Sequence, residues 1–204
     1  MKITIVGGGT AGMITALIFN TRLNADIEMI VPSNIGILGV GEGSTEHWAQ
    51  FLRFIEITKT ESLLKSKGTV KAGINFIGWT PDRGDYAHSL WGDYVDSKIG
   101  DTTYIQTKLM AENFSHEDFS GPEINNNRIA GPDEAGGWNQ FHFNTFELNK
   151  FLTKLATSRG IKIVDDEITQ VHTDENGISK LTGTKGEYTA DLYVDSTGFK
   201  RLMI

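Results

Sequence analysis

Gly7-Gly8-Gly9-Thr10-Ala11-Gly12 is the stretch of this chain best suited to binding chemistry, because its glycines stand at the spacing G-x-G-x-x-G. The first glycine permits a tight turn and the second lets backbone N–H groups approach a pyrophosphate. The third allows the following helix to pack close to its strand, with its positive end on the phosphates. A second arrangement lies near the other end. Leu192-Tyr193-Val194-Asp195-Ser196-Thr197-Gly198 reads as a strand running into an acidic, glycine-containing turn. In many flavoproteins such a turn comes back to the cofactor beside the glycine loop, so Asp195 joins the candidate cofactor residues and the pair of signatures favours FAD over NAD. The acid that usually holds the adenosine ribose, about 20 residues past the loop, is missing: Val31 stands at that place and Glu28 falls in mid-strand.

The elements that must position these groups are legible at both ends. Residues 2–6 (KITIV) form a short buried strand, an apolar helical stretch runs from Ala11 to about Phe19, and Asp26–Val31 is a second strand stopped by Pro32-Ser33-Asn34. Together they make one βαβ crossover of about 30 residues. A glycine-rich loop, Gly36 to Ser44, leads into a helix from Thr45 to about Ile57, capped by Ser44 or Thr45. Val70–Trp79 alternates as a half-buried strand, with Val70, Ala72, Ile74 and Phe76 on one face and Lys71 on the other. Residues 80–138 are loop-rich, with a helix expected around Thr102–Asn113. A helical stripe at Phe146, Leu148, Phe151, Leu152 and Leu155 ends at Gly160. Short strands follow at residues 161–164, 167–173, 178–182 and 191–194, with Glu175-Asn176-Gly177 as a hairpin turn. The fold class is α/β, a Rossmann-like βαβ with an inserted β-rich and loop-rich segment.

Composition narrows the chemistry. The 204 residues contain no cysteine, which removes disulfides, thiolate metal sites and a cysteine nucleophile, and fits a reducing, cytoplasmic setting. His47, His88, His116, His142 and His172 show no ligand spacing, so no metal is expected. A net charge of −7 without a basic run argues against nucleic acid, and no apolar run approaches the length of a membrane span. Glycine makes up 23 of the 204 residues, above the usual share of about 7%; the stretches Gly7–Gly12 and Gly36–Gly43 carry much of the excess.

Four stretches taken together resemble the flavin-dependent halogenases of the tryptophan-halogenase type. They are residues 5–12 (IVGGGTAG), 35–45 (IGILGVGEGST) and 70–79 (VKAGINFIGW), and then Phe141-His142-Phe143-Asn144 with the C-terminal Asp195–Ile204. The resemblance implies the flavoprotein fold of the glutathione-reductase type. It also implies that Gly7, Gly9, Thr10, Ala11 and Gly12 hold the FAD pyrophosphate, and that Ile35, Leu38, Val40, Glu42 and Gly43 line the flavin. By the same resemblance Ile168 would lie against the adenine through its backbone, and Lys71 would be the catalytic lysine. On the residues alone, Lys71 is simply a lysine on the polar face of a strand; the surrounding motif gives it the role.

In such enzymes reduced FAD and oxygen turn a halide into hypohalous acid, which reaches the lysine and halogenates an electron-rich aromatic ring such as that of tryptophan or another indole. Halide and oxygen are therefore the implied co-substrates, FAD (as FADH2 in turnover) the cofactor, and a flavin reductase the implied partner. The chain departs from the family in having Met13 where the family has tryptophan, and in its length. Members are more than twice as long, so the chain is expected to be a truncated FAD-binding portion, either an N-terminal piece or a natural short relative of such an enzyme, inactive by itself and prone to self-association or homodimer formation. Its expected organisation is a dinucleotide-binding βαβ and flavin loop at 1–45, an insertion carrying the Lys71 strand at 46–140, and a return into the FAD fold at 141–204. The competing readings are another FAD-dependent monooxygenase or oxidoreductase, and a non-catalytic nucleotide-binding remnant.

Overall fold

The computed structural model describes residues 1–39, 42–71, 73–78, 86–89 and 140–204. Val40 and the helix expected around Thr102–Asn113 lie outside the described residues. The chain divides into two compact units, one made of Met1–Val40 with Thr145–Ile204 and the other of Gly41–Asn144.

The first unit is built on a parallel sheet of four strands: β1 (Lys2–Val6), β2 (Asp26–Ile30), β8 (Lys162–Val164) and β12 (Leu192–Asp195), in the order β12-β1-β2-β8. The near-continuous apolar runs of β1 and β2 suit strands buried on both faces; Ile3, Ile5, Ile27, Met29 and Ile30 are all buried. Helix α1 (Thr10–Arg22) packs on β1 and β2, and α4 (Thr145–Ser158) packs on α1. The opposite face carries an antiparallel meander of β9 (Ile168–Asp174), β10 (Gly177–Gly183) and β11 (Glu187–Tyr188), whose Ile168, Leu181 and Tyr188 form one buried cluster with Val6 and Ile30. Glu28, buried in mid-strand, is held by Lys162 Nζ at 2.6 Å and Lys2 Nζ at 3.2 Å. Burial pushes its carboxyl up, but the two lysines outweigh that and leave it below the ordinary value.

The second unit contains α2 (His47–Phe54), α3 (Lys59–Ser66), a small antiparallel sheet in the order β3-β7-β4 and a separate pair, β5 with β6. The strands are β3 (Glu42–Gly43), β4 (Thr69–Val70), β5 (Gly73–Phe76), β6 (Tyr86–Ser89) and β7 (Phe141–Phe143). Trp48 sits at the centre of an aromatic core, 5.0 Å from Phe51 and 4.9 Å from Phe143 between ring centroids. Among the described residues no helix is long and apolar enough to cross a membrane.

Three expected elements differ. The helix expected over 45–57 ends at Phe54, where Glu56 takes a left-handed conformation (φ 59°), and a further helix, α3, follows. Thr58 caps α3 by accepting the Glu61 N–H at 3.1 Å, the first half of a T-x-x-E capping box. Ser44 does not cap α2; its hydroxyl instead accepts the Phe141 N–H at 2.9 Å, tying the segment before α2 to β7. The strand expected over Val70–Trp79 is broken: Thr69–Val70 pairs with β7, whereas Gly73–Phe76 pairs with β6. Gly73 opens the second piece and Gly78, at φ +67°, ends it, as glycines do at strand bends. Ile74, expected on the same face as buried Val70, is 36% exposed, so the alternation does not mark a single buried face. Phe146 also departs from the expected α4 stripe and is 53% exposed, while Leu148, Phe151 and Leu152 are buried as expected.

Candidate functional site

The glycines of the first loop differ in what surrounds them. Gly7 has φ +113°, a conformation that L side chains rarely adopt, and a Cβ there would run into the Ser196 carbonyl oxygen. A Cβ on Gly12 would meet the Gly7 carbonyl oxygen, so this glycine allows the start of α1 to close against the turn. Gly8 lies under Val31, whose methyl groups occupy the place of a Cβ. At Gly9 a Cβ would meet nothing within 4 Å. Packing therefore accounts for glycine at 7, 8 and 12, whereas at 9 the open side is outward, where a phosphate would approach.

The start of α1 suits such a ligand. Gly9 is its N-cap and supplies no side-chain acceptor, and the first turn carries no acidic residue. The N–H groups of a helix's first turn and the positive end of its dipole thus face outward without a built-in anion. The loop is braced from α4, where Asn149 Nδ2 donates to the Gly8 carbonyl at 2.7 Å. Met13, buried behind the loop, lies against Thr153 of the same helix, with Oγ1 at 3.8 Å from its sulfur. Neither Asn149 nor Thr153 stood out in the sequence, because each is polar and lies beside the apolar stripe of α4; only the packing of α4 on α1 reveals their use.

The acidic turn comes to the same place. β1 and β12 pair in parallel with Val6 opposite Asp195, and the Ser196 N–H donates to the Val6 carbonyl at 2.8 Å. Asp195 spends its carboxylate on its own turn: Oδ1 accepts Thr197 Oγ1 at 2.6 Å and Thr197 N at 2.9 Å, and Oδ2 accepts Met203 N at 2.8 Å. Burial raises its pKa, but these bonds prevail and hold it below the ordinary aspartate value. Asp195 thus orders the turn that presses on Gly7.

Ile35 and Leu38 continue from β2 and are 42% and 72% exposed, an unusual exposure for aliphatic side chains in a loop. Gly39 is covered by the ring of Phe146. Ile168 buries its side chain in the cluster under Val6. Val31 supplies packing to Gly8 and Glu28 is engaged by two lysines, so neither offers a free carboxylate to a ribose.

In the second unit the β3-β7-β4 sheet gathers Glu42, Gly43 and Lys71. Glu42 stands opposite Phe143 and Gly43 opposite His142, which is also opposite Thr69. Half-buried Lys71 extends the pairing by one bond, its N–H donating to the Gln140 carbonyl at 3.0 Å. A Cβ on Gly43 would lie 3.4 Å from His142 Nδ1 and 3.8 Å from Lys71 Cδ. The break after Val70 thus leaves Lys71 at the end of the sheet beside His142, a residue that sequence spacing did not connect with it. Among the described residues no group of three His, Asp or Glu side chains could hold a metal ion.

Comparison with known proteins places this architecture. The tryptophan halogenase family profile matches residues 2–204. The chain is 30% identical to the 7-chloro-L-tryptophan 6-halogenase of Kutzneria sp. (strain 744), the match covering 98% of this chain and 45% of that protein. It is 31% identical to the tryptophan 7-halogenase of Lentzea aerocolonigenes, over 100% of this chain and 43% of that protein. Among solved structures it is similar to the tryptophan C-6 flavin-dependent halogenase (chlorinase) from taromycin biosynthesis. The TM-score is 0.70 at 25% identity, covering 98% of this chain and 43% of that one. The chain spans less than half the length of the curated relatives it matches.

Proposed function

Because the chain belongs to the tryptophan halogenase family, a family of flavin-dependent halogenases, we propose that it is the FAD-binding and lysine-bearing part of an enzyme that halogenates an electron-rich aromatic ring. The observation that carries this reading is the pairing of Val6 with Asp195, which seats the acidic turn on the glycine loop. Gly7, Gly9, Thr10, Ala11 and Gly12 would hold the pyrophosphate, with the open side of Gly9 admitting it. Ile35, Leu38, Val40, Glu42 and Gly43 would line the flavin, Ile168 would meet the adenine through its backbone, and Asp195 would keep the return turn in register. Bound as FADH2, the cofactor supplies the electrons with which oxygen converts a halide to hypohalous acid, and a flavin reductase is the source of the reduced form.

Lys71 then acts as a hydrogen-bond donor. Its ammonium polarises the oxygen of HO–X, the ring carbon takes the halogen, and the leaving oxygen departs as water with the proton that the ring gives up. A positioned cation is suited to this because it stabilises charge that develops on the leaving oxygen. In the halogenating protein, Lys71→Met is expected to abolish product formation while FAD binding and oxygen consumption stay at the wild-type level. Product formed by the Met variant at a comparable rate would remove Lys71 from this role.

The cofactor preference is tested on the chain itself. Titration followed by flavin fluorescence and by calorimetry is expected to give FAD binding tighter than NADH binding. The affinity is modest because Val31 cannot accept a ribose hydroxyl, and one hydrogen bond of that kind contributes about 0.5–1.5 kcal/mol. Gly9→Val is expected to lose the FAD titration with an unchanged circular dichroism spectrum, since the added side chain meets no protein atom at its Cβ. NADH binding the more tightly would falsify the FAD assignment.

A further inference from the structure

The open face of the small sheet carries more than its lysine. Gly43, His142 and Thr69 stand opposite one another across β3, β7 and β4, so they share one face. Phe141 and Phe143, their neighbours in register, are buried on the other. Lys71 lies two residues beyond Thr69, which returns it to the face of His142 by the period of a strand. Between them is a space that Gly43 leaves empty: an atom at its Cβ position would be 3.4 Å from His142 Nδ1, 3.6 Å from His142 Cε1 and 3.8 Å from Lys71 Cδ. These are ordinary van der Waals distances, so an atom there would touch both the imidazole and the lysine stem, on a face where Gly43 and His142 are exposed.

We propose that His142 is a positioning residue for Lys71, its imidazole and the lysine stem lying on either side of the place that Gly43 leaves without a side chain. This rests on the reading of Lys71 as the catalytic lysine. The face has a matching electrostatic character. Desolvation of the ring and then the positive charge of Lys71 hold His142 below the ordinary histidine value. Among the described residues, the other charged groups on elements packed against β7 are Glu42 on β3, Glu46 beside α2, which accepts Gln140 Nε2 at 3.3 Å, Arg53 on α2, and Lys59, Glu61, Lys65 and Lys67 on and just after α3. Of these groups and Lys71, Lys71 is the one whose charge acts on the ring. Protonating His142 would set a second cation beside the first and repel the lysine ammonium. The acid side of the activity profile should therefore follow His142.

Two measurements test this. In the 204-residue chain, the His142 imidazole is titrated by two-dimensional NMR, with and without Lys71→Met. Removing the lysine charge is expected to raise the His142 pKa, since that charge is one of the two causes that lower it. In the halogenating protein, His142→Gln, which keeps a neutral polar side chain, is expected to lower the halogenation kcat on the order of tenfold, as misplacement of a reacting group does. FAD affinity and aromatic-substrate KM should remain, and the acid limb assigned to His142 should disappear. Gly43→Ala, whose Cβ fits at ordinary contact distance, is expected to lower kcat in the same way without loss of thermal stability. An unmoved His142 titration, or a His142→Gln protein with wild-type kcat and acid limb, overturns the inference while an inactive Lys71→Met protein leaves the reading of Lys71 standing. An active Lys71→Met protein overturns both.

Discussion

Gly12→Ala is expected to destabilise the chain, although helix propensity alone predicts the reverse. Gly12 lies in the first turn of α1, where alanine is favoured over glycine by about 0.8–1 kcal/mol. Against that gain stands the Gly7 carbonyl oxygen, which occupies the place of the new Cβ. The obstacle is backbone, not the end of a flexible side chain, and the Gly7 turn is pressed in turn by the Ser196 carbonyl. Overpacking of this kind costs about 1–3 kcal/mol or more, and a rigid obstacle puts the cost at the upper end. The net loss is about 2 kcal/mol, or about 4–8 °C in Tm for a chain of this size. Thermal unfolding followed by circular dichroism measures it, with Gly9→Ala as the control: that substitution meets open space and should leave Tm within about 1 °C. A Gly12→Ala protein as stable as wild type would show that the close approach of α1 to the turn is dispensable.

Asp166→Ala is expected to cost more still. This carboxylate is 1% exposed and accepts five hydrogen bonds: Tyr188 Oη at 2.6 Å, Thr184 Oγ1 at 2.6 Å, the Glu167 N–H at 2.7 Å, and the Lys185 N–H at 3.1 Å to each oxygen, with Gly183 leaving it room. These count as four donors, one of them shared, and they join the β8–β9 turn to the β10–β11 hairpin. Burial raises the carboxyl pKa, but the bonds from Thr184, Tyr188, Lys185 and Glu167 together force it well below the ordinary aspartate value. Alanine would leave the Tyr188 hydroxyl, on a side chain 9% exposed, without its acceptor, and each such orphan costs about 1–3 kcal/mol. A loss of about 3–4 kcal/mol in urea unfolding is expected. Adding Tyr188→Phe should recover part of it by removing one orphaned donor.

The sign of the pH dependence follows from the lowered value. The stabilisation by Asp166 is complete above the ordinary aspartate pKa of about 3.9 and is lost as pH falls below it towards the folded-state value. A loss under 1 kcal/mol for Asp166→Ala, with no partial recovery on adding Tyr188→Phe, would mean that the meander does not depend on this carboxylate.

The sequence by itself determined the βαβ start, the helix over 145–158 and the late strands. Their signals are local: apolar runs of strand length at residues 2–6 and 26–30, a 3.6-residue stripe in α4, glycine where the turn needs positive φ. The same locality limited it elsewhere. The alternation over 70–79 satisfied the period of one strand, yet its two halves pair with different partners, because strand pairing is decided by residues 86–89 and 141–143, far along the chain. Four glycines in a row of six look equivalent in composition; only the Ser196 carbonyl, the Val31 methyls and the Gly7 carbonyl separate the three that packing requires from the one whose Cβ position is open. His142 showed no ligand spacing to any other histidine and so no role, and Asp166 drew no notice at all. Their surroundings are set across a sheet or a hairpin, by Gly43 and the charge of Lys71 in one case and by Thr184, Lys185 and Tyr188 in the other. Such contacts exist only when a chain has folded, since side chains far apart in sequence acquire a common environment through packing and not through spacing.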